Sequence, residues 1–102
     1  MRLLSVQDAL LFRFRLIIPA FLCKNSIHEG YNDWRLPTLD ELYVMYNNKD
    51  YIGGFQDSSS AYSVYWSSTS YTSKSHYTIS FFNGHSSWDD HGANSVRCVR
   101  TL

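Results

Sequence analysis

The sequence predicts an α+β domain whose helical and strand segments are segregated along the chain. Three observations carry that reading. A capping-box signature opens one short amphipathic helix near residue 39, period-2 patterning marks strand candidates on both sides of it, and loop-forming residues separate those candidates. At 102 residues the chain is one domain's worth, with no room for a second independent core.

Taken in order, Phe12-Arg13-Phe14-Arg15-Leu16 alternates apolar and basic residues, which suits a half-buried strand. Pro19 ends it and can open a short helical turn carrying Phe21, Leu22 and Cys23. Gly30 to Pro37 is a turn-rich connector around Trp34. In Thr38-Leu39-Asp40-Glu41 the Thr hydroxyl can accept from a free backbone N–H while Glu41 reaches back, and both acids complement the helix dipole. Leu39, Leu42, Val44, Met45 and Tyr46 supply an apolar face and Asn47-Asn48 ends it, so a helix is predicted over 39–48. Gly53-Gly54 and Ser58-Ser59-Ser60 are loop material. Val64-Tyr65-Trp66, within 63–69, is a strand candidate. Residues 76–82 are another, ending in Asn83-Gly84, a dipeptide that favours a type I′ hairpin turn. Residues 85–94 are polar with no clear period. Residues 96–101 close the chain as a strand, with Val96 and Cys98 on one face and Val99 on the other.

Composition excludes several function classes. A hydrophobic share of 44% belongs to a globular chain rather than a disordered one. Formal net charge is zero, so the concentrated positive field that nucleic acid or an anionic membrane needs is missing. Between Tyr51 and Ser95 the charged residues are Asp57, Lys74, Asp89 and Asp90, while Ser and Tyr dominate. That polar, nearly uncharged half has the composition of a contact surface, because tyrosine gives rigid contact area at low entropic cost.

Cys23 and Cys98 are 75 positions apart, too far for a CxxC redox pair or a complete zinc site. Spacing alone leaves two readings: a disulfide formed in an oxidising compartment, or two unrelated buried thiols. The start Met1-Arg2-Leu3-Leu4 is like that of a signal peptide, but Asp8, Arg13 and Arg15 interrupt any apolar stretch, and no run reaches the ~20 apolar residues of a membrane span. The first residues read as domain or as an unusual start, not as a targeting segment or a membrane insertion.

Gly30-Tyr31-Asn32-Asp33-Trp34-Arg35-Leu36-Pro37-Thr38, with Glu41-Leu42 after it, resembles the signature of the Legionella collagen-like protein C-terminal domain family. Tyr65-Trp66-Ser67-Ser68-Thr69, Ile79-Ser80-Phe81-Phe82-Asn83-Gly84 and Val96-Arg97-Cys98-Val99-Arg100 match its later motifs in order. The resemblance implies a C-type-lectin-like fold: short helices plus a small, mainly antiparallel sheet with long ligand-binding loops. It also implies a Cys23–Cys98 disulfide and a secreted or cell-surface location. It divides the chain into residues 1–18, which do not match the family's usual first strand, and a domain over 19–102. The mismatch is expected from either a truncated gene start or a diverged one.

Some family members resemble the variable proteins of diversity-generating retroelements, in which adenine-directed mutagenesis scatters Asn, Ser, Tyr, Asp, His and Gly among fixed motif residues. Tyr71, Ser73, Ser75, His76, Thr78, Ser80, His85, Ser87, Trp88, Asp89, Asp90, His91 and Asn94 have that character and are the expected ligand-binding positions. The expected partner is a protein or glycan ligand at a surface. The alternative function is a carbohydrate- or glycosaminoglycan-binding adhesin domain, for which Lys74 and the histidines offer little positive charge at neutral pH.

Each candidate has a plainer structural reading. Trp34 and Trp66 sit among apolar neighbours and read as core, whereas Trp88, flanked by Ser86, Ser87, Asp89 and Asp90, reads as a ligand contact or as packing against a loop. His85, Asp89, Asp90 and His91 lack the usual zinc spacing, and Asp89, Asp90 and Asn94 match no calcium motif, so no metal or cofactor is expected. No nucleophile motif such as Gly-x-Ser-x-Gly occurs, so no catalytic residue is assigned and the chain is expected not to be an enzyme. Arg97 and Arg100 read as partners in a salt bridge or cation–π contact before they read as binders of anionic sugar.

Overall fold

The computed structural model describes residues 4–6, 14–15, 17–90 and 92–102. Strands β1 (Leu4–Val6) and β2 (Phe14–Arg15) precede helix α1 (Ile17–Lys24). Helices α2 (Leu39–Asn47) and α3 (Lys49–Ile52) follow, then β3 (Val64–Thr72), β4 (Ser75–Ser80), β5 (Ser86–Asp89), β6 (Ala93–Asn94) and β7 (Val99–Thr101). The domain is α+β: β3, β4 and β5 form an antiparallel meander, while β1 pairs with β7 and β2 with β6, both antiparallel.

Helix α2 starts where its capping box requires. The Thr38 hydroxyl accepts from the Glu41 N–H at 3.2 Å, and the Glu41 carboxylate accepts from the Thr38 N–H at 2.9 Å. At the other end Asn48 turns its amide onto the Val44 carbonyl at 2.7 Å, adding a second donor to an oxygen that also accepts from the Asn48 N–H at 3.1 Å. The one-turn helix α3, which has no apolar period of its own, continues from that cap.

Strand alternation divides the interior in two. Within β3, Tyr65 points to α2 and joins Leu42, Met45, Ile79, Phe81 and Val99, whereas Trp66 points the other way and joins Cys23, Trp34, Leu36, Val96 and Cys98. The last segment repeats this division: Val96 and Cys98 enter the Trp66 cluster and Val99 the α2 cluster, the facing expected from the sequence. Trp34 and Trp66 are both buried, and burying such side chains contributes roughly 1.5–3 kcal/mol each. The Cys23–Cys98 disulfide closes the first cluster, tying α1 to the C-terminal segment across a Cα–Cα distance of 5.5 Å.

Several sequence expectations need correction. Helix α1 begins at Ile17, so Pro19 lies inside the first turn, where its missing N–H has no intrahelical partner to lose. Asn83-Gly84 does not make a two-residue turn. It lies in the longer β4–β5 connection of residues 81–85, because Phe81 is drawn into the core and ends the ladder early. The two-residue turn is Ser73-Lys74 instead, closed by the Thr72–Ser75 pair, whose hydroxyls share a hydrogen bond of 2.6 Å. Residues 86–89 form a strand although no period is visible there, since Ser86, Ser87 and Trp88 are all exposed. The expected strand at 96–101 is paired as β7 only over Val99–Thr101, although Ser95 is already bridged to Tyr65 of β3. Of the alternating segment 12–16, Phe14–Arg15 forms β2 and the other three positions lie outside the described residues.

Candidate functional site

The meander carries an aromatic cluster at the end formed by the β3–β4 turn. Tyr71 of β3 stacks on Trp88 of β5 with ring centroids 4.9 Å apart and planes 11° from parallel. Tyr77 of β4 meets Tyr71 edge-on at 5.4 Å and 80°. Register explains the contact: Tyr77 lies opposite Trp88, and the β3–β4 ladder shifts between Ser70 and Thr72, which re-aims Tyr71. Tyr71 and Trp88 are 47% and 49% exposed, so each ring is held by the other and still presents surface to solvent. Ser73 and Lys74, both exposed, form the turn beside them.

The other expected positions divide by burial. Ser87 is exposed but alternates with Trp88 and so lies on the opposite face of β5. His85 is exposed, and Ser80 half-buried, at the far end of the meander, where the Ser80 hydroxyl accepts from the Phe82 N–H. Asp90 is exposed beyond the end of β5. Ser75, Thr78 and Asn94 are buried and so do not form part of any surface. Ser75 is committed to Thr72, and Asn94 donates its amide to the Asp89 carboxylate at 3.1 Å. The same carboxylate accepts from the Asp90 and Gly92 N–H groups, so Asp89 organises the chain between β5 and β6. A Cβ at position 92 would collide with it. The half-buried His76 places Nδ1 3.0 Å from the Ser67 carbonyl. His91 lies outside the described residues.

Sequence reasoning missed Tyr77. The signal was present: two positions past Ser75, it shares a face with Ile79 in a strand that the sequence predicts. Among the described residues no group of three or more His, Cys, Asp or Glu is placed to hold a metal ion.

The arginines of the closing segment brace the framework. Arg97, buried, donates to the Gly53 carbonyl at 2.7 Å and lies 4.4 Å from the centroid of the Phe55 ring. Arg100 lies 3.6 Å from the Tyr31 ring centroid and donates to Asp33 at 2.7 Å, a hydrogen bond that holds the Asp33 carboxyl below its ordinary pKa. The cation–π and salt-bridge roles expected for this pair are both present.

No helix among the described residues is long and apolar enough to cross a membrane. A search of curated proteins returns no match to the chain. The family model of the Lcl C-terminal domain matches residues 19–100, which takes in most of α1, the capped helix, the meander and most of the closing segment. The chain belongs to the Lcl C-terminal domain family.

Proposed function

We propose that this domain is a non-enzymatic ligand-binding module whose contact surface is the turn end of the β3–β4–β5 meander, centred on Tyr71 and Trp88. The carrying observation is the stacked, half-exposed ring pair braced by Tyr77. Exposed aromatics in a rigid setting are the side chains that dominate binding energy at interfaces. Nearby Ser and Asp groups are spent on structure: the Ser67 hydroxyl donates to the Tyr77 carbonyl, and Asp89 holds the loop. Those commitments favour recognition over nucleophilic chemistry. The disulfide is of a kind that oxidising compartments maintain, and with the family it favours an extracellular location for a C-type-lectin-like receptor surface.

In this reading the surface is diversified by a retroelement. Change is tolerated at the exposed Tyr71, Ser73, His85, Ser87, Trp88 and Asp90, and is costly at the buried Ser75, Thr78 and Asn94. Sequencing alleles and flanking DNA tests this. Variation at the exposed set, mapping to adenines of a template repeat beside a reverse transcriptase, is the expected result. Identical residues at all six exposed positions across alleles would overturn diversification and point to one constant ligand. A glycan is then the next reading, favoured by the flat ring pair, and a sulfated one would have to rely on Lys74. Heparin retention lost on Lys74→Ala is its signature.

A further inference from the structure

A second site lies away from the meander's turn end, at the junction of α2 and α3. Tyr46, Asn47, Asn48, Lys49, Asp50 and Tyr51 line an open depression of about 400 Å³, within the ~300–1,000 Å³ typical of small-molecule sites. One wall is fixed in advance. The Tyr46 ring meets Phe81 edge-on at 5.6 Å, and the Gly84 backbone presses so near that a Cβ there would lie 2.6 Å from Cε2 of the ring. The other aromatic, Tyr51, is 93% exposed, so its ring contributes nothing to the core and is available to a ligand.

The charges restrict the ligand class. The Lys49 ammonium lies 3.3 Å from Asp57 and 3.7 Å from Asp50, so its charge is already matched and an anion gains little there. The Asn48 amide is spent on Val44, so the remaining polar groups of the rim are those of the exposed Asn47 and Tyr51 and of Asp50, whose carboxylate has a second oxygen beyond its contact with Lys49. Two phenol rings, an amide and a carboxylate lining one depression suit a molecule that has an apolar face and a rim of hydroxyls. We propose that this depression binds one or two residues of a neutral saccharide, independently of the Tyr71–Trp88 surface.

The test is an amide-shift NMR titration of the folded domain with the methyl glycosides of glucose, galactose and N-acetylglucosamine, with a sulfated heparin disaccharide as anionic control. At least one neutral glycoside should shift the amides of residues 46–51 saturably, with a Kd of roughly 1 mM, as expected for so small a contact. Tyr51→Ala, at a position too exposed to endanger folding, should weaken that binding about tenfold or more, as loss of an aromatic anchor does. Trp88→Ala should leave it unchanged. No saturable shift with any neutral glycoside, tighter binding of the sulfated control, or an unchanged affinity in Tyr51→Ala overturns the proposal. Shifts that map to Tyr71 and Trp88 and vanish in Trp88→Ala overturn it while supporting the meander surface.

Discussion

The Glu41 carboxylate accepts from the Thr38 N–H and, through both oxygens, from the Arg35 guanidinium at 2.6 and 2.8 Å. Arg35 also donates to the Thr101 hydroxyl at 2.8 Å, so one side chain links the start of α2 to the end of β7. Hydrogen bonding to Arg35 outweighs the cost of partial burial and holds Glu41 below the ordinary glutamate pKa of 4.5. A carboxyl with a depressed folded pKa contributes stability that is present above its unfolded value and lost as pH falls through the folded one. Glu41→Gln keeps the capping-box geometry and removes the charge. It should therefore cost about 0.5–1 kcal/mol at pH 7, the scale of a partly exposed ion pair. Urea unfolding of both proteins should show that gap closing below pH 4.5, as the wild-type carboxyl takes up its proton. A pH-independent gap would mean that the ion pair contributes nothing. Half of this arrangement was legible in the sequence. The capping box is a four-residue pattern, but the Thr101 hydroxyl that also holds Arg35 arrives with β7 from 66 positions away, which no local pattern encodes.

Among the elements, the meander shows where sequence reasoning reaches and where it stops. The strands β3 and β4 were legible because each sends apolar residues into a core, β3 from both of its faces; β5 was not, because its residues face solvent and carry no hydrophobic period. The local turn preference of Asn83-Gly84 is overridden by Phe81, whose N–H donates to the Ser63 carbonyl at 2.7 Å while its ring fills the α2 cluster. The resulting connection depends on Gly84, whose φ is 78°. Gly53 has the same φ, but a Cβ added there would meet nothing within 4 Å, so its cost is one of backbone alone. With ψ at 165° it occupies a positive-φ, extended region that is essentially glycine-only, so Gly53→Ala should lose about 1–3 kcal/mol from backbone conformation alone. Gly84→Ala must also displace Tyr46 from Phe81, and should lose about 1–2 kcal/mol more, the scale of overpacking. Thermal unfolding of the two variants side by side checks this, and equal losses would show that the Tyr46 ring yields at no cost.

At the scale of the whole molecule, both clusters are assembled from distant parts of the chain, the α2 cluster from Leu42 through to Val99 and the second from Cys23 through to Cys98. The disulfide closes only the second of them. Linking residues 75 apart removes chain entropy from the unfolded state worth about 4–5 kcal/mol, an upper figure, against a total stability of only ~5–15 kcal/mol for a domain. Both sulfurs are buried, at 0% and 2% exposure, so a reductant must wait for the domain to open before it can attack. The bridge should therefore resist dithiothreitol in the native state and be reduced quickly once urea has populated the unfolded one. After reduction, or in the Cys23→Ala/Cys98→Ala variant, the urea midpoint should fall by about 2–3 M, given a denaturant slope of ~1–2 kcal/mol/M for a chain of this size. Fluorescence of Trp34 and Trp66, both within the bridged cluster, follows the transition directly. A fall well below 1 M would show that the two clusters hold together by packing alone, and that the long-range link contributes little to the folded domain.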